Sequence, residues 1–276
     1  MTAALPRLHA VTDDRVSGEA WLPERAALLA RAAGAELAVH LRTRTREGGA
    51  FLALARALRA ALEPHGSWLV VNDRADVARA AGAQAVVTGG TGLVADDVRR
   101  AAPGLVVGRS VHGAVEARAA AGEGADFLVA GAVYETPTHQ GKGASGLVVV
   151  RAAAATGRPV IAIGGVTPER TPEVIAAGAR GVAAIRALWD AHDPAAAARA
   201  FLAALPARVT LTLSVNGEPR ETPAGTTLAG LLAQLGLDPR AVVVEHNRRI
   251  VRREGLSEAG LAEGDAVEIV HFVGGG

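Results

Sequence analysis

Cysteine is absent from these 276 residues. Disulfides, thiolate metal sites and a catalytic thiol on this chain are therefore excluded, and the composition fits a cytoplasmic protein. Aromatic residues make up only 3%, no basic block exists, and the formal net charge is +1. Nucleic acid binding through a charged face or by base stacking is not expected. No apolar run approaches the roughly 18 residues that span a bilayer. The segment after Met1 has no positive start followed by an apolar stretch, so neither a membrane span nor a secretory signal is expected. Lysine is nearly missing too. Of 29 basic residues only Lys142 is lysine, which reads as a coding bias towards Arg and Ala.

Half of the residues are apolar, enough for a packed core. From Arg7 to about Leu205, short apolar strands alternate with Ala-rich helical stretches. The expected strands are Arg7–Thr12, Glu36–Leu41, Ser67–Asn72, Ala85–Gly89, Leu105–Ser110, Phe127–Val133, Pro159–Gly165 and Gly181–Leu188. Their near-continuous apolar character suits parallel strands covered on both faces. Helical stretches include Glu24–Ala33, Ala50–Glu63 and Pro168–Ala177, and Pro194–Leu205 closes the series. This order predicts an α/β fold, a (β/α)8 TIM barrel over residues 1–205, near the lower length limit for that architecture.

The pattern changes at Pro206. Arg208–Asn216 alternates and runs into Asn216-Gly217, a strong hairpin signal. Leu228, Leu231, Leu232 and Leu235 share one helical face, and Ala241–Asn247 and Ala266–Val273 read as strands. The order strand, strand, helix, strand, strand predicts a small α+β, ubiquitin-like β-grasp domain over residues 208–276. Residues 1–206 carry 22 basic against 19 acidic residues, a formal +3, and the remainder 7 against 9, a formal −2.

The chain stops at Gly274-Gly275-Gly276. A glycine tail threads a channel that any Cβ would block, and presents its carboxylate for activation. Val215-Asn216-Gly217-Glu218, the Thr227-Leu228 helix, Val244-Glu245-His246-Asn247, Gly264-Asp265 and Val267-Glu268-Ile269-Val270 resemble ThiS, the sulfur carrier of thiamin biosynthesis. The resemblance implies that an E1-like enzyme adenylates Gly276, which becomes a thiocarboxylate and donates sulfur to a thiazole synthase.

Barrel chemistry belongs at the carboxyl ends of the strands. Those ends offer Arg42 and Arg44, Asn72, Ser110 and His112, Glu135 and Thr136, then Thr138, His139 and Gly143 beyond. They also offer the Gly164-Gly165 step, and Ile185 with Arg186. Glycines after strand 7 and amides after strand 8 are where many barrels hold phosphate. The rim therefore predicts an anionic small ligand, with no metal and no cofactor. Val71-Asn72-Asp73-Arg74, Gly108-Arg109-Ser110-Val111-His112, Glu135-Thr136-Pro137-Thr138 and Ala162-Ile163-Gly164-Gly165-Val166 resemble the thiamin-phosphate synthase/TenI superfamily.

Two branches of that superfamily differ in chemistry. The synthase branch carries Gln-x-Arg-Glu-Lys after strand 2 and a Mg²⁺-binding Asp after strand 4. Here those positions read His40-Leu41-Arg42-Thr43-Arg44 and Gly89-Gly90-Thr91-Gly92. The Gly108–His112 and Tyr134–Thr136 segments are more similar to the TenI branch, which includes thiazole tautomerases. The resemblance thus implies a tautomerase-like barrel that binds thiazole phosphate. It moves a proton with a histidine whose pKa lies near neutral. TenI tautomerases place that histidine where this chain has Ala132, so His139, then His112, then His40 are the candidates. The alternatives are a thiamin-phosphate synthase with a rebuilt diphosphate site, or a non-catalytic docking module.

Overall fold

The computed structural model describes residues 4–45, 48–136, 143–208 and 210–271. Two compact units form, one of Pro6–Leu205 and one containing the chain from Pro206 onward.

The first unit is a closed eight-stranded barrel. Parallel strands β1 (Leu8–Val11), β2 (Leu37–Leu41), β3 (Trp68–Asn72), β4 (Ala85–Thr88), β5 (Val106–Val111), β6 (Phe127–Ala130), β7 (Val160–Ile163) and β8 (Gly181–Ala184) pair in sequence order, and β8 returns to β1. The intervening helices are α1 (Asp14–Gly18), α2 (Leu22–Ala33), α3 (Gly48–Leu62), α4 (Ala75–Ala80), α5 (Ala95–Ala101), α6 (Ala114–Gly122), α7 (Leu147–Ala154), α8 (Thr171–Ala176), α9 (Arg186–Trp189) and α10 (Pro194–Ala204). Strands 6 and 8 are shorter than their apolar runs suggest. The run Gly181–Leu188 divides into β8 and the first turns of α9, because an apolar run does not mark where strand becomes helix. Helix α8 likewise begins at Thr171, after the expected Pro168, and carries Pro172 in its first turn, where the missing N–H costs nothing.

Side chains alternate between two cores. Leu8, Ala10, Leu37, Val39, Leu41, Leu69 and Val71 join Leu29, Leu58 and Phe201 in the outer core, where strands meet helices. The alternate positions face the barrel axis. There His9, Ala38, His40, Val70, Phe127 and Val129 are buried. The Phe127 ring fills the space that a Cβ on Gly108, its register partner, would need. The barrel is closed by side chain as well as by ladder: the Trp189 indole donates to the Val11 carbonyl at 2.8 Å.

The second unit has strands β9 (Thr210–Val215), β10 (Glu218–Pro223), β11 (Val242–His246), β12 (Arg249–Val251) and β13 (Ala266–His271), with α11 (Leu228–Gln234) packed on one face. The sheet order is β10-β9-β13-β11-β12, with β13 parallel to β9. Asn216 and Gly217 turn the first hairpin with φ of 50° and 80°, both left-handed as the Asn-Gly pair predicts. Five strands form where four were expected. The extra one, β12, follows a turn at Asn247 and Arg248, with φ of 50° and 65°, and no glycine announces it. Among the described residues no helix is long and apolar enough to cross a membrane.

Candidate active site

The carboxyl ends of the barrel strands are tied together by polar bonds. Thr12 Oγ1 donates to the Arg42 carbonyl and accepts from the Arg42 N–H, both at 2.8 Å. Asp14 accepts the Arg44 N–H at 2.5 Å and the Thr43 hydroxyl at 3.1 Å. The Arg44 N–H, then Thr43 and the two arginine charges, hold the Asp14 carboxyl below its ordinary range. The loop after β2 is thus anchored on the first turn of α1, and Arg42 and Arg44 stand on that fixed backbone. Sequence reasoning left Asp14 without a role, although its place just after strand 1 was visible.

After β4, Arg109 performs the same task from a buried position. Its Nη1 donates to Thr88 Oγ1 at 2.9 Å, to the Gly89 carbonyl at 2.9 Å and to the Leu93 carbonyl at 3.1 Å. Arg109 faces away from the axis, since its neighbours Gly108 and Ser110 face inward, so it shapes the Gly89–Leu93 loop from behind.

The three candidate histidines fall apart structurally. His40 is not a rim residue. It is buried inside the barrel, 1% exposed, and its Nε2 lies 2.7 Å from His9 Nδ1, while His9 Nε2 lies 2.9 Å from the Pro6 carbonyl. A carbonyl only accepts, so His9 carries its proton on Nε2 and receives one from His40 Nε2. Burial lowers the His9 pKa to about 4 and holds His40 well below its ordinary value, the neighbouring His9 adding to the effect. His40 alternates with Val39 and Leu41, which join the outer core, so it points to the axis and is covered there, which overturns its placement as a proton carrier at the mouth. His112 does stand just past β5, exposed, with its backbone N–H and Nδ1 at 2.8 and 3.0 Å from Glu116 Oε2. His139 lies outside the described residues, as do Thr138 and Gly276.

The remaining candidates gather at the same end. Asn72 and Ser110 occupy axis-facing positions at the ends of β3 and β5. The Asn72 Oδ1 and Thr136 Oγ1 atoms are buried with no partner among the described residues. Glu135 and Gly143 are exposed beside the chain leaving β6. Gly164 and Gly165 adopt φ of 105° and 64°, the left-handed region that favours glycine. A Cβ on Gly164 would stand 2.7 Å from Ala132 Cα. Register places the ends of β7 and β8 side by side, Ile163 against Ala183. Among the described residues, the N–H groups of Gly164, Gly165, Ile185, Arg186 and Ala187 have no hydrogen-bond partner. Unpaired amides at adjacent strand ends suit an oxyanion.

The sequence model described as thiamine monophosphate synthase matches residues 8–188. The chain belongs to the thiamine monophosphate synthase family. Its C-terminal unit is a ThiS-family domain, matched over residues 213–276. A protein of Mycolicibacterium smegmatis named thiamine-phosphate synthase is 48% identical over 147 residues, 52% of this chain and 64% of the relative. One of Mycobacterium tuberculosis with the same name is 42% identical over 160 residues, 56% of this chain and 72% of the relative. The matched segment thus spans less than two thirds of the first of these. The solved structure of thiamine phosphate pyrophosphorylase from Pyrococcus furiosus superposes with a TM-score of 0.63 at 29% identity, covering 72% of this chain and 94% of that one.

The synthase branch implies a divalent cation, and the residues present do not fit one. Asp73 stands after β3, but its Oδ1 accepts the Gly89 N–H at 3.0 Å. At the β4 end, a Cβ on Gly92 would stand 3.0 Å from Thr88 Cβ and 3.4 Å from that same Oδ1. Among the described residues no group of three His, Asp or Glu side chains could hold a metal.

Proposed function

We propose that this chain serves thiamine biosynthesis, uniting a sulfur carrier with a barrel that binds thiazole phosphate and joins it to a pyrimidine diphosphate. The observation that carries the reading is the union of a synthase-family barrel and a ThiS-family domain in one chain. The names of the relatives support coupling over the tautomerase chemistry expected from the Gly108–His112 and Tyr134–Thr136 segments.

In this reading the thiazole phosphate is accepted by the amides of Gly164, Gly165 and Val166 and of the Ile185–Ala187 segment, and Asn72 and Ser110 contact the ring from the axis. The thiazole nitrogen attacks the pyrimidine methylene carbon. The C–O bond to diphosphate breaks, and the leaving group keeps the electron pair. Arg42 and Arg44 meet the charge that grows on it. On the carrier, Gly276 is adenylated by an E1-like enzyme and converted to a thiocarboxylate, which delivers sulfur to a thiazole synthase.

A second reading, a thiazole tautomerase, draws support from Gly92, where the metal-binding carboxylate of the coupling branch is missing. His112 and His139 are then the proton carriers. Incubation of the full chain with both coupling substrates, followed by detection of thiamine phosphate, tests the first reading. Appearance of the aromatic chromophore from the thiazole carboxylate tautomer, without coupling, would replace it with the second. Turnover in neither assay, with thiazole phosphate still bound, would leave a docking module, the role that Ala132 supports. Intact mass after treatment with an activating enzyme, ATP and a sulfur source tests the carrier: exchange of oxygen for sulfur at the terminus is expected.

A further inference from the structure

We propose that Arg170 and Tyr134 are positioning residues for the phosphate of the barrel's ligand, acting through the Gly164–Gly165 turn. The inference rests on the reading of that turn as a phosphate site. In a trans peptide the carbonyl of one residue and the N–H of the next lie in one plane and point in opposite directions. A bond that captures a carbonyl therefore aims the following N–H. Three consecutive carbonyls are captured here. The Val133 N–H donates to Ile163 O and the Tyr134 N–H to Gly164 O, each at 2.9 Å. Arg170 Nη1 donates to Gly165 O at 2.8 Å. The first two bonds turn the Gly164 and Gly165 N–H groups away from the chain leaving β6, and the Arg170 bond turns the next amide of the turn, Val166, away from the guanidinium. Among the described residues none of the three N–H groups has a partner.

Arg170 supplies the one side-chain bond of this set, and it is itself held. Its guanidinium lies 4.4 Å from the centroid of the Tyr134 ring, within the range of a cation–π contact. The Tyr134 hydroxyl donates to Glu173 Oε2 at 2.7 Å, so the ring is fixed to α8, the helix that follows Arg170. Burial, then this bond to Glu173, pushes the Tyr134 hydroxyl up to about 12, so it stays a donor at neutral pH. The ring also backs the turn directly, since a Cβ on Gly165 would stand 2.8 Å from Tyr134 Cβ. The guanidinium is spent on a carbonyl and a ring, which makes it a brace behind the amides and not itself the anion's partner.

The test compares two ligands, thiazole phosphate and its unphosphorylated alcohol, by titration calorimetry on the full chain and on Arg170→Lys and Tyr134→Leu. Lysine keeps the charge but loses the planar donor and the stack, while leucine at 134 changes no charge. Both variants should bind thiazole phosphate about tenfold more weakly, roughly the loss of one net bond to a charged group, and bind the alcohol as before. Full affinity for the phosphate in Arg170→Lys would reduce Arg170 to a point charge and overturn the brace. Equal loss for both ligands would show general damage and overturn it as well. A wild-type chain that does not prefer the phosphate would overturn the phosphate site itself, and the brace with it.

Discussion

The barrel and the carrier spend their polar groups in opposite ways. The barrel buries two neutral histidines on its axis, His9 and His40, with an outer apolar core large enough to carry them. The carrier packs eleven buried apolar residues around Leu228, Leu231 and Leu232. The one fully buried polar side chain among its described residues is the uncharged Thr222, which is bonded to Gln234, and a denser set of polar bonds gathers at the edge just before β13. There Asp265 accepts from His246 Nε2 and Asn247 Nδ2, both at 2.7 Å, and from the Ala262 N–H at 2.8 Å. A large core tolerates a buried imidazole that must stay uncharged. A small one has no such margin, and puts its charge where opposite partners and water reach it.

The contrast breaks most sharply under a core truncation. Leu231 is fully buried, and Leu231→Ala should cost about 2–5 kcal/mol. A unit of about 70 residues holds roughly 4–10 kcal/mol in all. The carrier transition should therefore drop steeply or vanish in a calorimetric scan, while the barrel transition stays. A barrel transition that falls equally would mean the two units unfold as one.

Acid should separate the units next. The folded pKa of His9 is depressed to about 4, from 6.5. The unfolded chain therefore binds a proton that the folded barrel refuses. Barrel stability is fully present above pH 6.5 and falls as pH drops towards 4, by about 3 kcal/mol for His9 alone, and His40 adds in the same direction. In the carrier, Asp265 is depressed below 3.8: burial, its largest single influence, opposes this, and the bonds from Asn247, Ala262 and His246 outweigh it. That contribution is present above pH 3.8 and is lost only below it. Thermal scans between pH 7 and 4 should thus lower the barrel transition by far the more. His9→Phe, which removes the titrating ring, should flatten that slope.

Which of these features could be read in the sequence follows from how each is encoded. The eight apolar runs gave the barrel because a parallel strand covered on both faces has no polar positions to hide it. The Asn216-Gly217 turn was legible because two left-handed residues in a row are strongly marked by that pair. The Asn247-Arg248 turn was not. Its φ values are sustained from a distance, by Asp265 and by the Asn247 Oδ1 that accepts the Ala266 N–H at 2.9 Å, and such support leaves no local mark. At the site, Gly164 and Gly165 stood out because only glycine fits against Ala132 and Tyr134. His40 was misplaced because a strand residue's direction depends on register, which its neighbours in the sequence do not state. Arg170 and Arg109 were missed for a related reason: each works by capturing backbone carbonyls, and a carbonyl has no residue identity.

The polar edge of the carrier gives the next effect in size. Asp265→Ala strands three donors, one of them the Nε2 of a largely covered His246, and should cost the carrier about 2–3 kcal/mol. Asp265→Asn keeps an acceptor and should lose less than half of that. Urea titration resolves the two variants, and an equal loss in both would show that the charge, not the geometry, holds the edge.

The smallest expected effect tests whether the barrel really relies on its core. Arg15 on α1 donates to Asp190, just past α9, at 2.7 Å, so one ion pair joins the first helix of the unit to the chain after β8, 175 residues away in sequence. Its position suggests a clasp. Its exposure argues otherwise: the two side chains are 48% and 41% exposed, and water screens such a pair to about 0.2–1 kcal/mol. The closing bond that matters is the buried one between Trp189 and Val11, where no water competes. Arg15→Ala should therefore move the barrel midpoint in urea by less than 1 kcal/mol, and Trp189→Phe, which deletes one buried donor and little volume, should move it by more. If Arg15→Ala proves the costlier of the two, the barrel is held shut at its surface, and the contrast drawn between a core-held barrel and an edge-held carrier fails.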